Sequence, residues 1–246
     1  MNTQPYPHTW RGHSFRAMGC QMSVWLELTN KETSSRLLRE AEATFSRAER
    51  RLSRFDPHSE LSQLNANPGT WVPVSDLLWR VVMQARHLAR ETDGLFDPTL
   101  LHALEAAGYK TSFAERPFWQ QSAEVEPASP QLGQWEEIQV HAGPRPLAAT
   151  GIRLDLGGIA KGRGAAGGGF LSDWGPCLVD ASGDLTAGEA PTGWPGWPVA
   201  VAKPSANPLG KRETRVPALW LVQGTMAASG IDYRRWQQNG RTAHHH

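Results

Sequence analysis

The chain has 246 residues, enough for one large domain or two small ones with a sizeable core. Its formal net charge of +1 gives no electrostatic case for nucleic acid, and no apolar run approaches the roughly 20 residues of a membrane span. Two cysteines, Cys20 and Cys177, fit neither a zinc spacing nor a disulfide framework, so a reducing compartment is the simpler expectation.

The opening stretch MNTQPYPHTWRGHSF lacks the basic-then-apolar pattern of an export signal, so the cytoplasm is the expected location. Residues 1–12 are expected to be disordered or loosely draped. His13 to Leu28 reads as a strand pair turning near Gly19, with Met22, Val24, Leu26 and Leu28 on alternate positions. Thr33 to Phe55 has helical period: Leu37, Leu38, Ala41, Phe45, Ala48 and Leu52 form an apolar stripe with many charges opposite. Asp56-Pro57 marks a turn, and Ser59 is placed to cap a short helix reaching Asn65. Ser75 caps a second amphipathic helix running to Thr92, with Leu78, Val81, Val82, Ala85 and Leu88 as its buried stripe.

Thr92 to Leu100, TDGLFDPTL, sets two acids, a glycine and an Asp-Pro turn behind that helix. It reads either as a helix stop or as a ligand-contacting turn. Residues 115–132 are poor in pattern and read as an exposed insertion. Trp135 to Val140 and Ala148 to Leu156 return to strands, followed by Pro176 to Val179, Val199 to Lys203 and Ala218 to Gln223. Gly224 to Trp236 is small and polar around Ser229-Gly230. Strands and helices without regular alternation favour an α+β fold.

Ile152 to Gly169 is the stretch with most chemistry in it. It opens as a strand, IRLDL, and becomes a glycine-rich turn holding Asp155 and Lys161. Glycines let backbone N–H groups approach anionic oxygens, and a lysine adds a point charge for phosphate. That pattern suits a phosphate-containing ligand such as a nucleotide. It equally suits a tight turn carrying a solvated lysine.

Six pieces occur in order: AMGC at 17–20, SELSQLN at 59–65, DGLFDPT at 93–99, LDLGGIAKG at 154–162, VDASGDL at 179–185 and ASGIDYRRW at 228–236. Together they resemble the ApbE family, the FAD:protein FMN transferases. The resemblance implies a two-lobed, T-fold-like α+β architecture, with mixed sheets, flanking helices and FAD between the lobes. It implies one such domain over residues 13–246. It also implies Mg²⁺-dependent transfer of FMN from FAD to a Thr or Ser hydroxyl of a target protein, with release of AMP. By position, Met18, Phe55, Asn65, Phe96, Asp97, Asp155, Lys161, Ser229 and Gly230 match cofactor-binding residues, and the carbonyl of Gly158 matches a metal ligand.

Two departures accompany the match. The family run KGYAVD is KGRGAA here, so Ala166 replaces an aspartate, and the Gly167-Gly168-Gly169 that follows weakens the helix expected there. The chain also ends at His244-His245-His246. His245 is the better match to the start of the family's next segment and a candidate proton acceptor, although a short tag or a chance run fits equally. The later metal-binding side chains of the family pattern are expected to be missing, as in a truncated member. Two alternatives follow from that: a flavin-binding relic of impaired activity, or a hydrolase splitting FAD to FMN and AMP. A third comes from Gly162 to Gly167, which fits G-x-G-x-x-G literally and would suit an NAD-dependent oxidoreductase of Rossmann type.

Overall fold

The computed structural model describes residues 10–112, 133–140, 146–149, 151–201, 218–230, 235–238 and 241–244. The chain divides into two compact units, residues 1–46 with 164–233 and 246, and residues 47–163 with 234–245. The mixed helices and antiparallel sheets make it an α+β protein, as the sequence suggests.

The first unit is built on a five-stranded antiparallel sheet. Its strands are β1 (Trp10–Ala17), β2 (Cys20–Glu27), β6 (Cys177–Asp180), β7 (Asp184–Ala187) and β10 (Gly224–Ala227), in the order β1-β2-β6-β7-β10. Trp10 to Gly12, expected to be loose, instead pair with β2 opposite Glu27 to Trp25. The β1–β2 turn is a two-residue loop with positive φ at Met18 (52°) and Gly19 (69°), the handedness that matches strand twist in tight hairpins. Alternation along β2 sends Met22, Val24 and Leu26 to one face, where they meet Leu37, Leu38, Ala41 and Phe45 of helix α1 (Lys31–Leu52). The other face carries Leu178, Leu185 and Ala187 against Trp197 and Val199 of β8 (Trp197–Ala200), which pairs with β9 (Ala218–Leu221). Cys20 and Cys177 are both buried thiols, and burial pushes the Cys177 thiol up, partly offset by a backbone hydrogen bond from Gly188.

The second unit holds α2 (Glu60–Ala66), β3 (Val72–Pro73), α3 (Asp76–Glu91) and α4 (Leu101–Ala106). A 3-10 turn over Gln134–Glu137 leads into β4 (Ile138–Val140) and β5 (Pro146–Ala149), and the three strands pair in the order β3-β5-β4. Ser59 and Ser75 cap α2 and α3 as the sequence predicts, each hydroxyl accepting a helix N–H. Helix α5 (Gly157–Gly167) begins at the glycines themselves, where the sequence suggested a turn. It passes into a 3-10 stretch over Gly168–Asp173, consistent with the poor helix propensity of three glycines. The backbone of β11 (Arg235–Gln238) and β12 (Arg241–His244) forms a hairpin.

Ile152 to Leu156, expected to be a strand, pairs with no strand among the described residues. Its side chains nevertheless alternate, with Ile152, Leu154 and Leu156 buried. The Rossmann reading fails here. Every described strand pair is antiparallel, and Gly162 to Gly167 lie inside α5 rather than at a strand-to-helix turn. The insertion at 115–132 lies outside the described residues, as do residues 1–9.

Phe45 is fully buried between sheet and helix, its ring tilted against that of Phe15 with centroids 5.5 Å apart. Phe45→Ala is expected to cost about 3–5 kcal/mol of unfolding free energy in a urea titration. A loss below about 1 kcal/mol would contradict this packing.

Candidate functional site

In the second unit, three of the segments singled out by sequence come together: 54–65, 93–99 and 152–161. The tie between the first and third is the side chain of Asn65, buried to 7% exposure. Its Nδ2 donates to the Leu154 carbonyl at 2.9 Å, and its Oδ1 accepts the Leu154 N–H at 2.8 Å. An asparagine amide has one donor edge and one acceptor, the same pair a neighbouring strand would offer a peptide. This explains how 152–156 alternates like a strand without a ladder. Both polar edges of Asn65 are used in this way.

The turn after α3 is fixed from within. The Gly94 N–H donates back to the Ala89 carbonyl at 2.9 Å, with Asp93 at φ 48° and Gly94 at φ 81°. The Trp135 ring fills the space where a Gly94 Cβ would stand, 2.7 Å from its Cη2. Glycine is therefore required twice, for its φ and for its missing side chain. Asp97 points inward: Oδ1 accepts from the Thr99 N–H (2.8 Å) and hydroxyl (2.5 Å), and Oδ2 accepts the Gly133 N–H at 2.8 Å. Phe96, by contrast, lays its ring against Gly158, where a Cβ would sit 3.1 Å from Cε2.

The third segment is joined to the second by the Asp155 N–H, which donates to the Pro98 carbonyl at 2.9 Å. The Asp155 carboxylate is divided between two tasks. Oδ1 accepts the Gly157 N–H at 2.7 Å, bending the chain into α5. Oδ2 lies 2.5 Å from Arg54 Nε, an ion pair whose geometry falls outside hydrogen-bond alignment at that nitrogen. The Arg54 guanidinium carbon sits 4.1 Å from the Phe55 ring centroid and 4.4 Å from that of Tyr109, and Nη2 donates to the Tyr109 carbonyl at 2.9 Å. Phe55 keeps 37% of its surface exposed. Lys161 is half-buried on α5, with interactions of its own.

The remaining expected residues belong to the first unit or lie outside the described residues. Met18 occupies the β1–β2 turn. Ser229-Gly230 follow β10, whose continuation is held by the Ala228 N–H donating to the Gly183 carbonyl at 3.0 Å. The register puts Met18-Gly19, Ser182-Gly183 and Ser229-Gly230 at one end of the five-stranded sheet. His245 lies outside the described residues. Arg54, Tyr109, Thr99 and Trp135 were not read from the sequence as site residues. Arg54 carried a signal in its place next to Phe55, and Thr99 in its place within DGLFDPT.

Gly158 is in the first turn of α5, and a lone backbone carbonyl does not make a hard-cation site. Among the described residues no group of three or more His, Cys, Asp or Glu could hold a metal ion. The described residues by themselves therefore do not make a complete magnesium site. No helix among them is long and apolar enough to cross a membrane.

The model of one protein family, ApbE, matches residues 18–246. An FAD:protein FMN transferase of Chlamydia trachomatis is 26% identical over 233 residues, which cover 90% of this chain and 67% of that protein. The crystal structure of the ApbE protein of Thermotoga maritima superposes with a TM-score of 0.79 at 21% identity, covering 96% of this chain and 75% of the other. The apo form of the Pseudomonas stutzeri flavinyl transferase ApbE gives 0.73 at 21% identity, covering 95% and 72%. The Vibrio cholerae flavin transferase ApbE gives 0.71 at 20%, covering 91% and 72%. These structural likenesses show the fold.

Asn65→Ala would leave the Leu154 N–H and C=O buried without their partners. Each orphaned group costs about 1–3 kcal/mol, so a total loss of about 2–6 kcal/mol is expected in chemical denaturation. A variant as stable as wild type would mean that the 152–156 backbone has another partner.

Proposed function

The chain belongs to the ApbE family, and from that membership we propose that it is an FAD:protein FMN transferase. The hydroxyl oxygen of a Thr or Ser on a target protein bonds to the phosphorus of the FMN half of FAD. The bond from that phosphorus to the bridging oxygen breaks, AMP leaves with that oxygen, and the hydroxyl proton passes to a base. Reactions of this kind depend on positioning and charge neutralisation more than on a nucleophile of the enzyme.

The observation that carries the reading is the convergence of three family-matching segments in one unit. Asn65 is tied to Leu154, Asp155 to Pro98, and Phe96 lies on Gly158. Within that cluster the roles divide by what each group has left to offer. Asp97 and Asp155 spend their carboxylates on loop geometry, so they support the cofactor by holding the backbone that meets it. Phe55 and Phe96 offer ring surface to a flat heterocycle. Lys161 supplies positive charge near the opening of α5 for the diphosphate. Met18, Ser229 and Gly230 match cofactor-contacting positions of the family, and His245 a candidate proton acceptor, on family position alone. Magnesium dependence rests on family position alone: the Gly158 carbonyl would be one ligand, and the described residues do not complete the set.

The test is an assay with FAD, magnesium and an acceptor protein bearing the Thr or Ser hydroxyl, with a chelator arm. The expected result is flavin fluorescence that stays with the acceptor through denaturing electrophoresis, and AMP formed one for one. AMP without labelled protein would assign a hydrolase instead, and saturable FAD binding with neither product a flavin-binding relic. Lys161→Ala is expected to weaken FAD binding about tenfold, the scale of one charge-assisted contact. Unchanged affinity in a fluorescence titration would remove Lys161 from the site.

A further inference from the structure

The pairing of Arg54 with Asp155 is not explained by the family pattern or by the sequence reading. Arg54 is the most enclosed cation of the described ion pairs, its side chain 5% exposed while Asp155 is 16% exposed. It is held on every side: rings of Phe55 and Tyr109 at 4.1 and 4.4 Å, the Tyr109 carbonyl on Nη2, and Asp155 Oδ2 at Nε. A guanidinium so enclosed cannot reach out to a ligand. Its effect must pass through what it touches, and the first of these is the carboxylate that bends the chain into α5.

We propose that Arg54 is a positioning residue of the flavin-nucleotide site. It rests on the functional reading above. Arg54 orients Asp155, and Asp155 in turn fixes the Gly157 N–H and, by its own N–H, the Pro98 carbonyl. The glycine opening of α5 is thus set by one buried charge, on a segment that the Asp155 N–H ties to the 93–99 turn. The same guanidinium braces the ring of Phe55, part of whose face stays exposed. Arginine is required because a planar cation can lie against both rings, whose centroids are 5.6 Å apart, and still donate from Nη2 to the Tyr109 carbonyl; a lysine keeps the charge and loses that planar contact.

The experiment is a double-mutant cycle on FAD affinity, with wild type, Arg54→Lys, Asp155→Asn and the double variant, each with its melting temperature. Val82→Ala, a buried change in α3, serves as a control of comparable instability. Arg54→Lys and Asp155→Asn are each expected to raise the Kd for FAD about tenfold. The double variant should be no worse than the weaker single one, because both break one linkage. Val82→Ala should bind FAD as wild type does. Wild-type affinity in Arg54→Lys, or additive losses in the double variant, would overturn the proposal while leaving the function intact. So would a loss in Val82→Ala matching that of Arg54→Lys, because it would reduce Arg54 to a stability role. Wild-type protein that does not bind FAD would instead sink the functional reading, and this proposal with it. Should Arg54→Lys fail to fold, Tyr109→Leu tests the same brace through its second ring, with a similar loss of affinity expected and wild-type affinity contradicting it.

Discussion

A peptide segment without a strand neighbour must find partners for its backbone or stay in water. Ile152 to Leu156 is such a segment, and its side chains are too apolar to stay in water. The two-way bond between the Asn65 amide and Leu154 resolves the conflict at its centre. Much of the second unit's candidate site depends on it. With Leu154 held, Asp155 falls within reach of Arg54 and Pro98, and Leu156 offers the carbonyl that accepts the first N–H groups of α5, from Ile159 and Ala160. Asn65 thus acts as a one-residue strand.

A consequence is that the polar side chains most suggestive of ligand binding are already occupied. Asp97 accepts three hydrogen bonds within the protein, and Asp155 is shared between an amide and a guanidinium. Buried carboxylates with their acceptor capacity used in this way hold loops still, and loops held still can present backbone amides and ring faces in fixed positions. A site for a large, flat, doubly phosphorylated substrate needs that kind of order, because phosphoryl transfer is governed by alignment.

The sequence made the regular parts legible. Period and caps placed α1, α2 and α3 to within a few residues, since apolar stripes and serine caps act locally. The Met18-Gly19 hairpin was legible for the same reason. Asp93 to Pro98 read correctly as a turn, but not why Gly94 is indispensable, because Trp135 lies far along the chain. The strand expected at 152–156 was half right: its alternation is real, and its partner is a side chain that no periodicity could announce. Helix α5 was hidden by its own glycines, whose low propensity is overridden by the Asp155 turn and the buried Ile159 and Ala160. Arg54 stayed unremarkable because its importance lies in a contact with Asp155 that sequence distance conceals. Family order singled out Asn65, Phe96 and Asp155 together, and the structure brings those three segments into one cluster.

The central claim, that this cluster receives the flavin nucleotide, is tested most directly by amide hydrogen exchange of the whole chain with and without saturating FAD. Slowed exchange concentrated in peptides covering 54–65, 93–99 and 154–161 is the expected result. Protection confined to other parts of the chain, or no change at a concentration where bound FAD is measured independently, would contradict it.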